Sequence, residues 1–376
     1  MKIRSFVLVS LIAVALVISA CAPAATPVPA TRAPAATAVP PTGAPAATAV
    51  PPTTAPTAKA LTHLTYGSPV TPPNLVHMGA YVALELGYFK DAGLDVEFKS
   101  FEGGVGALRG LVSGNLDVVG TSSDPLFLAV AQGGGIHAIG AYAPKLSVVM
   151  MASPDVKSVA DLKGKKMGFQ DVGGFADVMN QLLLASANLK RDDVTNVNVT
   201  TAGRVSALVS GQINAHALHA DQYYAALKQK PDLVVLAKMW EVAPKWWYSA
   251  FVASDDAVKK NPEMYIGFMS AVLKAQRWMY DPKNKDQVVA IALKNNPGLG
   301  ADAFGKAYDD LSKGGIWTVN DGCPKDFIQF TIDKKIQLGT TGVPKDLKYE
   351  QICDLSVVNE AIKRLGGPLT GDPRWY

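Results

Sequence analysis

The strongest constraint on this chain is an alternation of strand-like and helix-like segments that runs from Leu61, pauses, and starts again. "LTHLTYGS" alternates apolar and polar residues like a strand. "MGAYVALELGYFKDAG" carries apolar residues at helical spacing and ends on Gly93, a natural C-cap. "LDVEFKSF" alternates again, "VGALRGLVSG" is helical, and "NLDVVGTSS" is a strand running into a polar loop. "DPLFLAVAQGG" and "IHAIGAY" add one helix and one strand. Strands alternating with helices predict an α/β fold with a largely parallel sheet.

The restart reads "SVADLKGKKMGFQDVGG", then helix "FADVMNQLLLASANL", strand "VTNVNVT", helix "RVSALVSGQI", and strands "NAHALHA" and "DLVVLAKM". After "WWYSAFVAS" the chain is strongly helical from Asn261 to Tyr280, and mostly helical beyond. Two α/β units are expected, the second inserted into the first: residues 61–150 and 250–376 form lobe 1, and residues 151–249 form lobe 2. With 376 residues and an apolar fraction of 48%, each has enough material for a core. Net charge is +4, acids and bases are mixed, and no basic block points to nucleic acid.

The first sixty residues belong to neither unit. Lys2 and Arg4 precede an apolar run from Phe6 to Ala20, short for a membrane span and fitting a signal peptide over residues 1–20. Its end, "ISAC", resembles the lipobox of bacterial lipoproteins, which implies lipidation of Cys21 and anchoring to the outer face of the cell membrane. The alternative is an uncleaved anchor with an incidental cysteine. Residues 22–60 are almost all Ala, Pro, Thr and Val, with "APAATAVPPT" at 33–42 and again at 44–53. Such a segment has no apolar face to bury, so residues 21–60 read as a lipidated cysteine and a semi-rigid tether. Cys323 and Cys353 remain; outside the cytoplasm they form a bridge or stay as two thiols.

The motifs point to binding more than to catalysis. In "FEGGVGALRG", Gly104, Gly106 and Gly110 give GxGxxxG, which misses the dinucleotide spacing. In "QDVGGFAD", Gly173 and Gly174 precede a helix whose free N–H groups would suit an anion or a carbonyl oxygen; an ordinary helix-start turn explains them equally well. "HALHAD" groups His216, His219 and Asp221, yet positions three apart on a strand face opposite ways, so no metal site is expected. No GxSxG, HExxH or P-loop is present, and no cofactor is implied. "PKWWYS" sets Trp246, Trp247 and Tyr248 side by side; one core face absorbs one tryptophan, leaving the other to meet a ligand or to pack a hinge.

The stretches "YVALELGYFKDAGLDVEFKSFEGGVGALRGLVSGNLDVVGTSSDPLFLAVAQGG", "VKSVADLKGKKMGF", "ALVSGQINAHALHAD" and "KKNPEMYIGFMSAVLKA" resemble ABC-importer solute-binding proteins of the group for sulfonates, nitrate and thiamine pyrimidine precursors. The resemblance implies a type II periplasmic-binding fold, with crossings near 146–152 and 246–253, acting as a monomer that delivers solute to a permease and its ATPase. It implies a cleft lined by Ser68, Val70, Thr71, Pro72, Asn74 and His77; by Thr121, Ser122, Ser123 and Asp124; and by Gln170, Gly173, Gly174, Phe175, His219 and Asp221. These loops contain neither Arg nor Lys, which disfavours a small hard anion. With Trp246 or Trp247 as a stacking face, the expected ligand is a flat heteroaromatic vitamin, riboflavin first and a thiamine pyrimidine precursor next. An alkylsulfonate or nitrate binder is the alternative. A pyrimidine-precursor-synthase-like enzyme is the alternative of another class.

Overall fold

The computed structural model describes residues 60–339 and 342–372. The expected signal segment, Cys21 and nearly all of the tether lie outside the described residues. No helix among the described residues is long and apolar enough to cross a membrane.

Ten strands form two five-stranded sheets. The first sheet is built from β1 (Thr62–Ser68), β2 (Leu94–Ser100), β3 (Val118–Ser122), β4 (Ile136–Gly140) and β10 (Ser249–Ser254), in the order β2-β1-β3-β10-β4. The second holds β5 (Val149–Ala152), β6 (Lys166–Phe169), β7 (Thr195–Asn198), β8 (Ala215–Leu218) and β9 (Val234–Lys238), in the order β7-β6-β8-β5-β9. β1 pairs in parallel with β2 and β3, and β6 with β7 and β8. β10 and β5 run antiparallel to both of their neighbours. Each is the first strand after a passage between the sheets. Residues 141–148 and 239–248 make those passages, slightly ahead of the expected positions, because 149–152 and 249–254 are already strands.

Burial explains the sequence patterns. The edge strand β2 alternates buried and exposed residues along its first half. β3, in mid-sheet with helices on its faces, is buried at every position. Under the first sheet, Phe89 stacks on Phe268 at 5.4 Å, and Tyr66 meets Phe98 edge-on at 5.0 Å. Such ring pairs each contribute about 0.5–1.5 kcal/mol beyond area burial. The long helix Pro262–Met279 packs on helices Met78–Glu85 and Ser356–Arg364. Helix Ala301–Gly314 instead lies against helix Ala220–Gln229 of the second unit, where Tyr224 donates to Asp310 Oδ2 at 2.6 Å.

Candidate functional site

Ligands of open α/β sheets bind beyond the carboxyl ends of the strands. Here the ends of β1, β3, β6 and β8 meet between the two sheets, and both passages run beside them. The resulting cavity is lined by Val70, His77, Gly104, Ser122, Tyr142, Gln170, Gly174, Phe175, Arg204, His219 and Tyr248, among others.

Five rings form its walls. Tyr142 comes from the first passage and Tyr248 from the second. His77 follows β1, Phe175 opens the helix after β6, and His219 caps the helix after β8. Phe175 lies 4.6 Å from Tyr248 and stacks on His219 at 6.0 Å. His77 sits 5.2 Å from Tyr142 and 5.5 Å from His219. The Tyr248 hydroxyl stands 3.4 Å from His77 Nε2 and 3.5 Å from His219 Nε2. It can donate to one imidazole and accept from the other. The Nδ1 atoms of both rings are buried without a partner. Burial and the nearby Arg204 charge pull His77 down to about 3. Burial, then His77 and Arg204, pulls His219 well below its ordinary value. Both are neutral imidazoles at physiological pH.

Arg204 is the cation of the site. It opens helix Arg204–Val209 and is 2% exposed. Its guanidinium donates to Thr201 Oγ1 at 2.9 Å and to Gln222 Oε1 at 3.3 Å, both neutral, while Nε has no partner. No described Asp or Glu is within ion-pair distance. Asp221 and Glu102 are near enough to be felt but not to pair. Burial brings its pKa down to about 10, so the charge persists at neutral pH.

The lobes are closed on each other. Asp221 Oδ2, on the second lobe, accepts from Asn74 Nδ2 and from the Leu75 amide of the first, each at 3.2 Å. The Thr201 amide donates to Glu102 Oε2 at 3.2 Å. A Cβ on Gly103 would stand 1.6 Å from Asp171 Oδ2, so a larger residue there would have to displace the Asp171 carboxyl. The cavity left is about 30 Å³. One water needs roughly 10–15 Å³ by this measure, so any organic solute must part the lobes.

The expected site residues divide. His77, Ser122, Gln170, Gly174, Phe175 and His219 line the cavity, as does Val70. Asn74 and Asp221 join the lobes beside it. Ser68 and Thr121 sit behind it: Ser68 accepts from the Tyr81 hydroxyl at 2.9 Å, and Thr121 Oγ1 reaches the Gly104 carbonyl at 3.4 Å. The Gly173 amide is not free for a ligand, because it donates to Asp177 Oδ2 at 2.9 Å; the Gly174 amide bonds the Asp171 carbonyl. Asp124 is held by a buried ion pair with Lys335 Nζ at 2.7 Å, away from the cavity. His216 turns its Nδ1 to the Ala217 carbonyl at 2.8 Å. Among the described residues no group of three or more His, Cys, Asp or Glu is arranged to hold a metal ion.

Two expectations, on the tryptophans and on the absence of a cleft cation, need correction, and of the two alternatives left open for the cysteines the structure has the free thiols. Neither tryptophan lines the cavity, and both are fully buried. Trp247 stacks on Phe127 at 6.0 Å in one hydrophobic cluster and donates from Nε1 to the Gly322 carbonyl at 2.8 Å. Trp246 is buried in another cluster, with Lys335 Nζ 5.9 Å from its ring. Two clusters flank this passage, so alternate faces are both absorbed, and the third aromatic, Tyr248, faces the cavity. Cys323 and Cys353 are free thiols, buried side by side. The cleft does contain an arginine. Arg204 had only read as the start of a helix; its position just past a cleft strand, in a helix first turn that disfavours cations, was the available signal. Tyr142, Gly103 and Asp171 were also not anticipated.

Comparison with known proteins places the chain. The profile described as "NMT1/THI5 like" matches residues 74–285, more than half of the 376. A "putative binding protein" of Brucella abortus is 30% identical over 214 residues, 57% of this chain and 66% of that protein, so the match spans just under two thirds of the relative. The formylaminopyrimidine-binding protein of Halalkalibacterium halodurans is 24% identical over 229 residues, 59% of this chain and 68% of the relative. The solved periplasmic aliphatic sulphonate binding protein of Escherichia coli superposes with a TM-score of 0.60 at 25% identity, covering 77% of this chain and 97% of that one. The two lobes have the type II periplasmic-binding fold, and the chain belongs to the NMT1/THI5-like family.

Proposed function

We propose that this chain is the extracytoplasmic solute-binding subunit of an ABC importer, and that its solute carries a negative charge. The reading rests on one observation: Arg204 is buried in the cleft with its charge unpaired and Nε unused. A buried charge without a partner is costly, and an anion held between the lobes relieves that cost. The two unpartnered imidazole Nδ1 atoms supply further hydrogen bonds. Solute is held when both lobes contact it, so binding favours closure. The sulphonate-binding relative supports this class. Lipidation of Cys21 would keep the subunit at the membrane, next to a permease and its ATPase. The three relatives described above are named as binding proteins, which speaks against the enzyme alternative.

A second reading is supported by the ring walls. Phe175, Tyr248, Tyr142 and the two imidazoles suit a flat heteroaromatic such as a pyrimidine precursor or riboflavin. The formylaminopyrimidine-binding relative supports it. Riboflavin is neutral at pH 7 and would leave Arg204 uncompensated, so it ranks below the anion. Calorimetric titration of the full chain with benzenesulfonate, an alkylsulfonate and riboflavin separates the two. The anion reading expects saturable binding of a sulfonate, weakened at least thirtyfold by Arg204→Gln, as for truncation of a buried charge pair worth about 2–5 kcal/mol. Saturable binding of riboflavin with none of either sulfonate would replace it by the second reading.

A further inference from the structure

The Tyr248 hydroxyl has one proton and stands between two imidazoles, His77 Nε2 at 3.4 Å and His219 Nε2 at 3.5 Å. Both rings are buried and neutral, so each carries its proton on one nitrogen only. Where the hydroxyl donates, that Nε2 is bare and the ring's proton sits on Nδ1. Where it accepts, that Nε2 holds the proton and Nδ1 is bare. The hydroxyl thereby ties the two rings to opposite tautomers. Their Nδ1 atoms, both buried without a partner, become one donor and one acceptor.

Local surroundings decide which ring is which. The Asn74 carbonyl favours a proton on the His77 ring. His219 is the N-cap of helix Ala220–Gln229, a position whose side chain accepts from the first amides of the helix. A proton on His77 Nδ1 and a lone pair on His219 Nδ1 satisfy both. The Tyr142 hydroxyl is also close to that of Tyr248, but it reaches the Thr121 carbonyl at 3.5 Å, which leaves the Tyr248 proton for His77.

We propose that the cleft selects an anion that carries a hydrogen-bond donor of its own, an N–H on or beside a flat ring, and that His219 Nδ1 is the group that reads it. This deepens the anion reading above and rests on it. Arg204 and the His77 Nδ1–H take the negative end of the solute. A solute with acceptors alone, such as nitrate or a plain sulfonate, leaves the His219 lone pair buried and unmet. Two more buried acceptors without partners, Asn74 Oδ1 and Asp221 Oδ1, stand at the joint beside the cavity and favour a donor in the same way. A site built around unmet polar groups discriminates strongly against an analogue that lacks their partner.

The test compares the ortho, meta and para aminobenzenesulfonates with the methylbenzenesulfonates of the same substitution, which match them in charge and size but lack the donor. In calorimetric titration of the full chain at neutral pH, at least one amino isomer should bind about tenfold tighter than its methyl counterpart. The advantage should vanish in His219→Phe, which keeps a ring against Phe175 but has no Nδ1. An advantage that persists in this variant overturns the role of His219. In the wild-type chain saturated with the tightest amino isomer, nitrogen NMR of isotope-labelled histidine should place the protons on His77 Nδ1 and His219 Nε2. Protons on the same nitrogen of both rings overturn the proposal, and this spectrum decides where His219→Phe loses all binding. Sulfonates that bind with no gain from the amine overturn this inference and leave the anion reading standing. Failure of every sulfonate to bind overturns both.

Discussion

Each lobe begins one helix with a buried charge, and the two charges are treated in opposite ways. Asp124, in the first turn of helix Ser123–Ala131, is 2% exposed and faces Lys335 Nζ at 2.7 Å. A carboxylate is also favoured at a helix start. Arg204, first in its own helix, is equally buried, has only neutral hydrogen-bond partners, and is disfavoured by the same dipole. The first charge is paired within the protein, through Oδ1 to Lys335, although its Oδ2 has no partner. The second is not paired, and an anionic solute would supply its partner in the function proposed above.

The most disruptive way to break the contrast is to orphan Asp124. Lys335→Met should destabilise the fold by about 3–5 kcal/mol in chemical denaturation, because it leaves an uncompensated buried carboxylate. Adding Asp124→Asn should recover most of the loss. A single variant as stable as wild type would remove the structural role. The opposite outcome is expected at Arg204. Arg204→Met should keep or raise the thermal midpoint of the solute-free chain, by up to about 1–2 kcal/mol equivalent, since no pair is lost. A large fall in stability would mean that Arg204 is structural after all. The smallest effect sharpens the ring walls. Tyr248→Phe removes one hydroxyl shared by two imidazoles and should weaken solute binding by about 1 kcal/mol, roughly fivefold, with little change in stability.

The sequence shows the fold better than the site, for physical reasons. Strand and helix periods survive tertiary packing, so β1 to β4 and their helices stand where the alternation places them. The loops after β1, β3, β6 and β8 do gather at one cavity. What each side chain does there depends on partners far along the chain. Asp124 lies 211 positions from Lys335, and nothing near "SSDPL" announces its pair. The clue lay on helix Lys325–Gln337, where Ile328, Thr331, Ile332 and Lys335 share a buried stripe. A lysine on such a stripe needs a buried acid. The adjacent tryptophans were misread because one core was assumed, whereas two clusters meet at the passage. Arg204 was hidden by a helix-start pattern that fits many harmless residues.

The strands β5 and β10 each enter their sheet directly after a passage, so the two passages emerge together and form a common pivot. Tyr142 and Tyr248 ride on that pivot, whereas Phe175, His219 and Arg204 belong to the second lobe and His77 to the first. Rotation about such a pivot would move the other three rings and the arginine and leave the two tyrosines in place. If the chain binds solute as proposed, substitutions at the two tyrosines are expected to change the rate of capture, and substitutions at Arg204 and the other rings the rate of release.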